Sequence, residues 1–178
     1  MLKIFLIVLA VIAIGVVGVL AYAATRPDIF TVQRSASIKA PPEKIFRFIN
    51  DFHQWGVWSP YEKIDPDMKR SYGPITAGKG ATYGWDGNKN IGAGSMEIVD
   101  APAPQRVTIK LDFMRPFEAH NVAEFTLRPA GDATNVTWTM RGPVPYFFKI
   151  VHLVMNMDKM VGGQFDQGLA NLKAAAER

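Results

Sequence analysis

A chain of 178 residues is long enough for one domain with an attached segment and too short for two ordinary domains. Twenty basic residues against sixteen acidic ones give a net charge of +4, but Lys63, Lys69-Arg70, Lys79, Lys89, Arg106, Lys110, Arg128, Arg141 and Lys149 are scattered, form no dense block and accompany no nucleic-acid motif, so they read as solvated surface. Cysteine is absent, which excludes disulfides, thiolate metal ligands and cysteine nucleophiles.

Residues 4–24 are an unbroken apolar run, and about 20 such residues make roughly 30 Å of helix, the thickness of a bilayer core. Lys3 precedes the run and Arg26-Pro27 follows it. The run is longer than the core of a signal peptide, about 7–15 residues, which favours a retained anchor, whereas Ala21-Tyr22-Ala23 has the A-x-A form of a cleavage site. Residues 1–26 are therefore read as a transmembrane anchor or uncleaved signal, and 27–178 as the domain. Lys3 and the terminal amine favour a cytoplasmic N-terminus, against Arg26, Arg34 and Lys39 on the other flank. The reading is a single-pass protein of the cytoplasmic membrane with its domain on the extracytoplasmic side. Gly15 and Gly18 are three apart, so they do not form a GxxxG dimer motif, and nothing else sets an oligomeric state.

Residues 31–39 alternate as a strand. Pro41 and Pro42 suit a first helical turn, where a missing N–H costs nothing, and Glu43 favours the same helix end. Ile45, Phe46, Phe48 and Ile49 give that helix a buried face, and Trp55 and Trp58 share one side of a second short helix closed by Ser59-Pro60. A polar loop at 61–66 leads to short strands at 68–72 and 81–85, then to the hairpin signal Asp86-Gly87-Asn88 and a strand at 92–99. After Ala101-Pro102-Ala103-Pro104, the residues Val107, Ile109, Leu111 and Phe113 alternate with Thr108, Lys110 and Asp112. A strand at 117–127 follows, then a turn at Gly131-Asp132 and a last strand with Val136, Trp138 and Met140 on one face. From Tyr146 the chain reads as helical, with Phe147, Ile150, Val151, Val154, Val161, Phe165, Leu169 and Leu172 on one stripe. Gly162-Gly163 inside that stripe predicts a kink or a close approach, since each glycine costs a helix roughly 1 kcal/mol against alanine.

The strand, helix pair and tryptophan doublet around residues 41–60 resemble the opening of the START-like helix-grip (SRPBCC) superfamily, in its polyketide cyclase/dehydrase-like branch. The resemblance continues through Asp65-Pro66-Asp67-Met68, Gly78-Lys79-Gly80-Ala81, Trp85-Asp86-Gly87-Asn88-Lys89 and Gly92-Ala93-Gly94-Ser95-Met96. It extends to Phe113-Met114-Arg115-Pro116-Phe117, Val136-Thr137-Trp138 and Met157-Asp158-Lys159-Met160-Val161-Gly162, covering roughly residues 30–177. It implies an α+β helix-grip fold: a curved antiparallel β-sheet wrapped around a long C-terminal helix, with two short helices after the first strand and the N-terminal transmembrane helix outside. Members share a cavity-forming fold without shared catalytic residues, so the fold does not name a function.

A cavity between sheet and long helix would be lined from the sheet by Tyr83, Trp85, Met96, Ile98, Ile109, Leu111, Phe113, Trp138 and Met140. The helices would add Trp55, Trp58, Val154, Met157, Val161 and Phe165. Methionines and aromatics make an adaptable apolar lining for a lipid, quinone or polyketide-like molecule, although the same side chains serve equally to fill a core. No catalytic residue is assignable. Asp158 is the one candidate acid, either pointing into the cavity with a raised pKa or pairing with Lys159 or Arg141 at its rim. His53, His120 and His152 lack metal-ligand spacing, with His120 predicted to face outward opposite Ala119, Asn121, Ala123 and Phe125. Glu97 falls on the solvent face, Ser59, Ser71 and Ser95 lack a nucleophile elbow, and Gly78-x-Gly80 and Gly92-x-Gly94 lack a phosphate cradle, so neither metal nor cofactor is expected.

The function read from these features is a membrane-tethered binding protein holding a hydrophobic small molecule or lipid in an internal cavity. One alternative is a polyketide cyclase/aromatase-like enzyme using buried polar groups such as Asp158, Tyr83 or Asn121. Another is an envelope stress or regulatory interaction protein with no ligand.

Overall fold

The computed structural model describes residues 1–153 and 157–178. Helix α1 (Leu2–Ala24) is apolar from Ile4 to its end and long enough to cross a membrane. Strand β1 (Ile29–Ile38) follows, then α2 (Pro42–Asn50), a 3-10 turn at Phe52–Gln54, α3 (Trp55–Trp58) and a second 3-10 turn at Pro60–Lys63. Six strands come next: β2 (Lys69–Tyr72), β3 (Thr82–Asp86), β4 (Ala93–Asp100), β5 (Arg106–Arg115), β6 (Ala119–Ala130) and β7 (Ala133–Pro143). Helices α4 (Tyr146–His152) and α5 (Met157–Ala176) complete the described chain.

All strand pairs are antiparallel, in the order β1-β7-β6-β5-β4-β3-β2, and α5 packs across the β1 side of the sheet. The architecture is an α+β helix-grip fold. Gly131 turns β6 into β7 at a positive φ of 65°, which suits a two-residue hairpin turn that a side chain would strain.

The tryptophan doublet is positioned by hydrogen bonds as well as burial. The Nε1–H of Trp58 donates to the carbonyl of Phe48 at 2.8 Å, and that of Trp55 to the carbonyl of Ile49 at 2.9 Å. Both acceptors lie in the last turn of α2, where carbonyls lack intrahelical partners. The indoles therefore cap α2 while filling the core beneath it. The Trp58 carbonyl in turn accepts from Asn171 Nδ2 at 3.0 Å, tying α3 to α5.

Three expectations need correction. The 61–66 segment contains a 3-10 turn, because Pro60 fixes the first φ and Tyr61 packs edge-on against Trp138. Phe147 is exposed, since α4 turns Lys149 inward instead, where its Nζ meets Asp28 Oδ1 at 2.6 Å. Lys149 is consequently a buried ion-pair partner rather than a solvated surface charge. The reading of residues 154–156, including Val154, falls outside the described residues.

Candidate functional site

The inward face of the sheet is almost wholly apolar, but it is not uniformly closed. Along each central strand the inward side chains pass from sealed to slightly open. Val136, Ile98 and Ile109 are 0% exposed, whereas Met140, Asn121, Leu111 and Met96 retain 6–9%. Phe113, one inward position beyond Leu111, is half-buried. Antiparallel pairing brings the open positions into rows. One runs from Phe30 through Gly142, Leu111 and Met96 to Tyr83, with Asn121 opposite Leu111; the next contains Ala119, Phe113, Gly94 and Trp85. The sealed end lies beneath α2 and α3, and the open end is where β1 begins, β7 ends and the β5–β6 loop turns.

The sequence-predicted lining residues thus divide into two groups. Tyr83, Trp85, Met96, Leu111 and Phe113 come together at the open end, with Trp85 and Phe113 edge-to-face at 5.7 Å, while Met140 pairs one row further in with Ala123 and Ile109. Trp55, Trp58, Ile109 and Trp138, with Phe125 and Phe165, form the more completely sealed part of one continuous core that also includes Tyr83, Trp85, Met96, Leu111 and Met140. Trp138 lies parallel to Phe165 at 3.8 Å and 7°, stacks on Phe125 at 4.8 Å and takes the edge of Trp58 at 5.6 Å. Val161 is half-buried against the same core from α5. Met157 begins α5, and its side chain lies outside the described residues, as does Val154.

Asn121 is the polar exception at the open end. Its side chain lies directly over Gly142, where a Cβ would collide with its Oδ1 and with Phe30. Buried at 7% exposure, Oδ1 has no hydrogen-bond partner among the described residues. A buried carbonyl left unpaired costs about 1–3 kcal/mol. The Trp138 Nε1–H is likewise buried without an acceptor among the described residues, but it is enclosed by aromatic rings in the closed core.

Asp158 is not a buried acid. It is exposed, and Arg34 holds it bidentately, Nη1 to Oδ1 at 2.8 Å and Nη2 to Oδ2 at 2.9 Å, while Arg34 Nε donates to Asp166 Oδ2 at 3.1 Å. The guanidinium lowers the Asp158 pKa from the ordinary carboxylate value, the opposite of the raised value a cavity acid requires. Arg34 reaches this position because Gly162 has no side chain; a Cβ there would collide with the guanidinium. Gly162 is therefore a close approach, with α5 continuous through it.

Tyr83 contributes its ring to the open end, while its hydroxyl donates away from it to Glu62 Oε1 at 2.6 Å. Burial, then this carboxylate, raise its pKa. Arg70 Nε donates to Glu62 Oε2, also at 2.6 Å, so Glu62 bridges Tyr83 and Arg70. On the outer face, His120 is exposed and its ring pairs with Asp112 at 2.7 Å, which raises the histidine pKa and helps lower that of Asp112. Glu97 also faces solvent. Asp158, Tyr83 and Asn121 do not converge, because Arg34 and Glu62 engage the first two elsewhere.

Sequence reasoning missed Arg34, Glu62 and Arg70. Arg34 had a signal: it shares strand parity with Val32, Ala36 and Ile38, a charge among inward-facing apolar positions. Among the described residues, a pocket of about 210 Å³ also lies where the anchor meets the domain, lined by Arg26, Pro27, Ile29, Phe30, Thr31, Val144 and Lys149.

Residues 30–177 match the family model described as polyketide cyclase/dehydrase and lipid transport. No curated protein sequence matches the chain. A crystal structure of a Mesorhizobium loti protein is similar at TM-score 0.60 and 20% identity, covering 84% of this chain and 100% of its own. The solution structure of the Aha1 dimer from Colwellia psychrerythraea is similar at TM-score 0.59 and 16% identity, covering 83% and 96%. Ginseng major latex-like protein 151 from Panax ginseng is similar at TM-score 0.57 and 13% identity, covering 85% and 100%. At such identities these likenesses establish the fold alone.

Proposed function

We propose that this chain, which belongs to the polyketide cyclase/dehydrase and lipid transport family, is a membrane-tethered binding protein that holds a hydrophobic small molecule or lipid against the open end of its sheet. The observation that carries this reading is Asn121, a buried carbonyl oxygen without a partner among the described residues in an otherwise apolar surface. A ligand with an apolar body and one hydroxyl or N–H donor would satisfy that oxygen and bury its remainder against Met96, Leu111 and Phe113. Met96 suits such a site because its unbranched side chain adapts to irregular shapes. The anchor helix supports the same reading, as it would keep the domain beside the membrane into which such ligands partition. With α1 inserted N-terminus-in, the domain lies on the extracytoplasmic side.

The enzymatic alternative lacks comparable support. Asp158 and Tyr83 are held by Arg34 and Glu62, leaving Asn121 as the candidate group facing the open end, and an amide does not serve as a general acid or base near neutral pH. The test is thermal unfolding of the full chain in mild detergent with lipids, quinones and aromatic polyketides added separately. A ligand at one hundred times its Kd stabilises the folded state by about 2.7 kcal/mol, so one class should raise Tm in proportion to the logarithm of its concentration. An unchanged Tm with every class would overturn the reading.

A further inference from the structure

We infer that α4 and the β5–β6 loop form a bilayer-contact face that sets the open end of the sheet against the membrane surface. The inference rests on the reading of α1 as a membrane anchor. Three contacts fix α4 at the end of that helix. The Tyr146 hydroxyl donates to the Leu20 carbonyl at 2.7 Å, Lys149 pairs with Asp28, and the Val144 amide donates to the Asp28 carbonyl at 2.7 Å. Leu20 lies four residues before the end of α1, about 6 Å along the helix axis, so the Tyr146 hydroxyl reaches a depth inside the candidate span. Ala23 is fully buried where α1 meets the domain, unlike the rest of that helix.

The surface beside this junction has the matching chemistry. Phe147 is 67% exposed and Phe117 63%, with Met114 and Tyr146 also exposed. Ring contacts link Phe117 to Phe148 at 5.6 Å and Phe148 to Phe147 at 5.7 Å, so the patch is continuous between loop and helix. Single exposed apolar residues are ordinary on protein surfaces, but a contiguous aromatic patch marks an interaction site. Tyrosine favours the membrane–water interface and phenylalanine the apolar faces that insert into it, and this patch adjoins a helix suited to crossing a membrane. The same loop joins Phe113 to Ala119, and α4 follows Gly142 on β7, so the patch borders the open end of the sheet. A ligand could then pass between bilayer and sheet without crossing bulk water.

The absence of native cysteine permits a clean test. Single variants Phe147→Cys, Phe117→Cys, Ala130→Cys and Val11→Cys of the full chain are labelled with an environment-sensitive fluorophore. They are then reconstituted into phosphatidylcholine–phosphatidylglycerol vesicles containing lipids spin-labelled near the headgroup or deep in the acyl chain. All four positions are exposed, so the labels need not disturb the core. The expected result is headgroup-level quenching at 147 and 117 several-fold stronger than at 130, with the deep label quenching position 11. Quenching at 11 with none at 147 and 117 overturns the docking face and leaves the anchor standing. A blue-shifted but unquenched label at 147 assigns the patch to a protein contact and equally overturns it. Absence of quenching at 11 removes the anchor reading, and the docking face falls with it.

Discussion

At the residue scale, Asn121 places stability and recognition in opposition. Its carbonyl, unpaired among the described residues, costs the ligand-free protein, and leucine has the same branched four-heavy-atom skeleton without the polar atoms. Asn121→Leu should therefore stabilise ligand-free protein by about 1 kcal/mol while weakening ligand-dependent stabilisation. Thermal unfolding with and without ligand measures both effects, and a destabilised ligand-free variant would contradict this account of the carbonyl. The residue's inward direction was legible from strand parity, because Ala119, Asn121, Ala123 and Phe125 share one face. Its missing partner was not legible, since that depends on Gly142 and Phe30 from two other strands. The same limit hid Glu62: a hydroxyl on β3 and a carboxylate in a 3-10 turn meet only through tertiary folding. Arg34 was more accessible, as a charge on an otherwise apolar strand parity, although the helix it passes beneath was not.

At the scale of elements, the adjacent glycines of α5 have opposite environments. A Cβ at Gly163 meets nothing within 4 Å, whereas one at Gly162 strikes the Arg34 guanidinium. Gly163→Ala should gain up to about 1 kcal/mol from helix propensity. Gly162→Ala should forfeit that gain by displacing Arg34 from Asp158 and Asp166, and the gain should return when Gly162→Ala is made in an Arg34→Ala background. Equal stability changes for the two single alanine variants, measured by denaturant unfolding, would contradict the close approach. The ion pair also has a defined pH signature. Because Arg34 holds the Asp158 pKa below its unfolded value, the contribution is present above about pH 4 and disappears as pH falls through the lowered folded-state value. The stability difference between the wild-type chain and Asp158→Asn should shrink across that acidic window, and a difference that grows on acidification would contradict the pairing. Sequence pattern located the helix and flagged its glycines, but it treated Asp158 as a candidate acid because helical spacing does not reveal what lies opposite on β1.

At the scale of the whole molecule, the strand topology places the open end of the sheet beside the anchor. Strands β1 and β6 begin there and β5 and β7 end there, bringing α1, the β5–β6 loop and α4 around the same edge. Helices α2 and α3 close the opposite end with Trp55, Trp58 and their hydrogen bonds to the last turn of α2. The helix-grip architecture was legible because alternating strands, paired prolines and the tryptophan doublet all indicated it. The division of the predicted lining into open surface and closed core was not. Alternation tells which face a side chain occupies, but not which covering helix lies over it. Trp138 and Trp85 share inward parity, yet the first is stacked under Phe165 and the second lies in the open row with Phe113.

The most direct test of a ligand held against Asn121 is native mass spectrometry of the full chain, purified from its own host's membranes in mild detergent, alongside Asn121→Leu. The account predicts a reproducible added mass on the wild-type chain and its loss from a folded Asn121→Leu protein. Wild-type protein that stays bare after incubation with lipids, quinones and aromatic polyketides, or an added mass unaffected by the substitution, would contradict it.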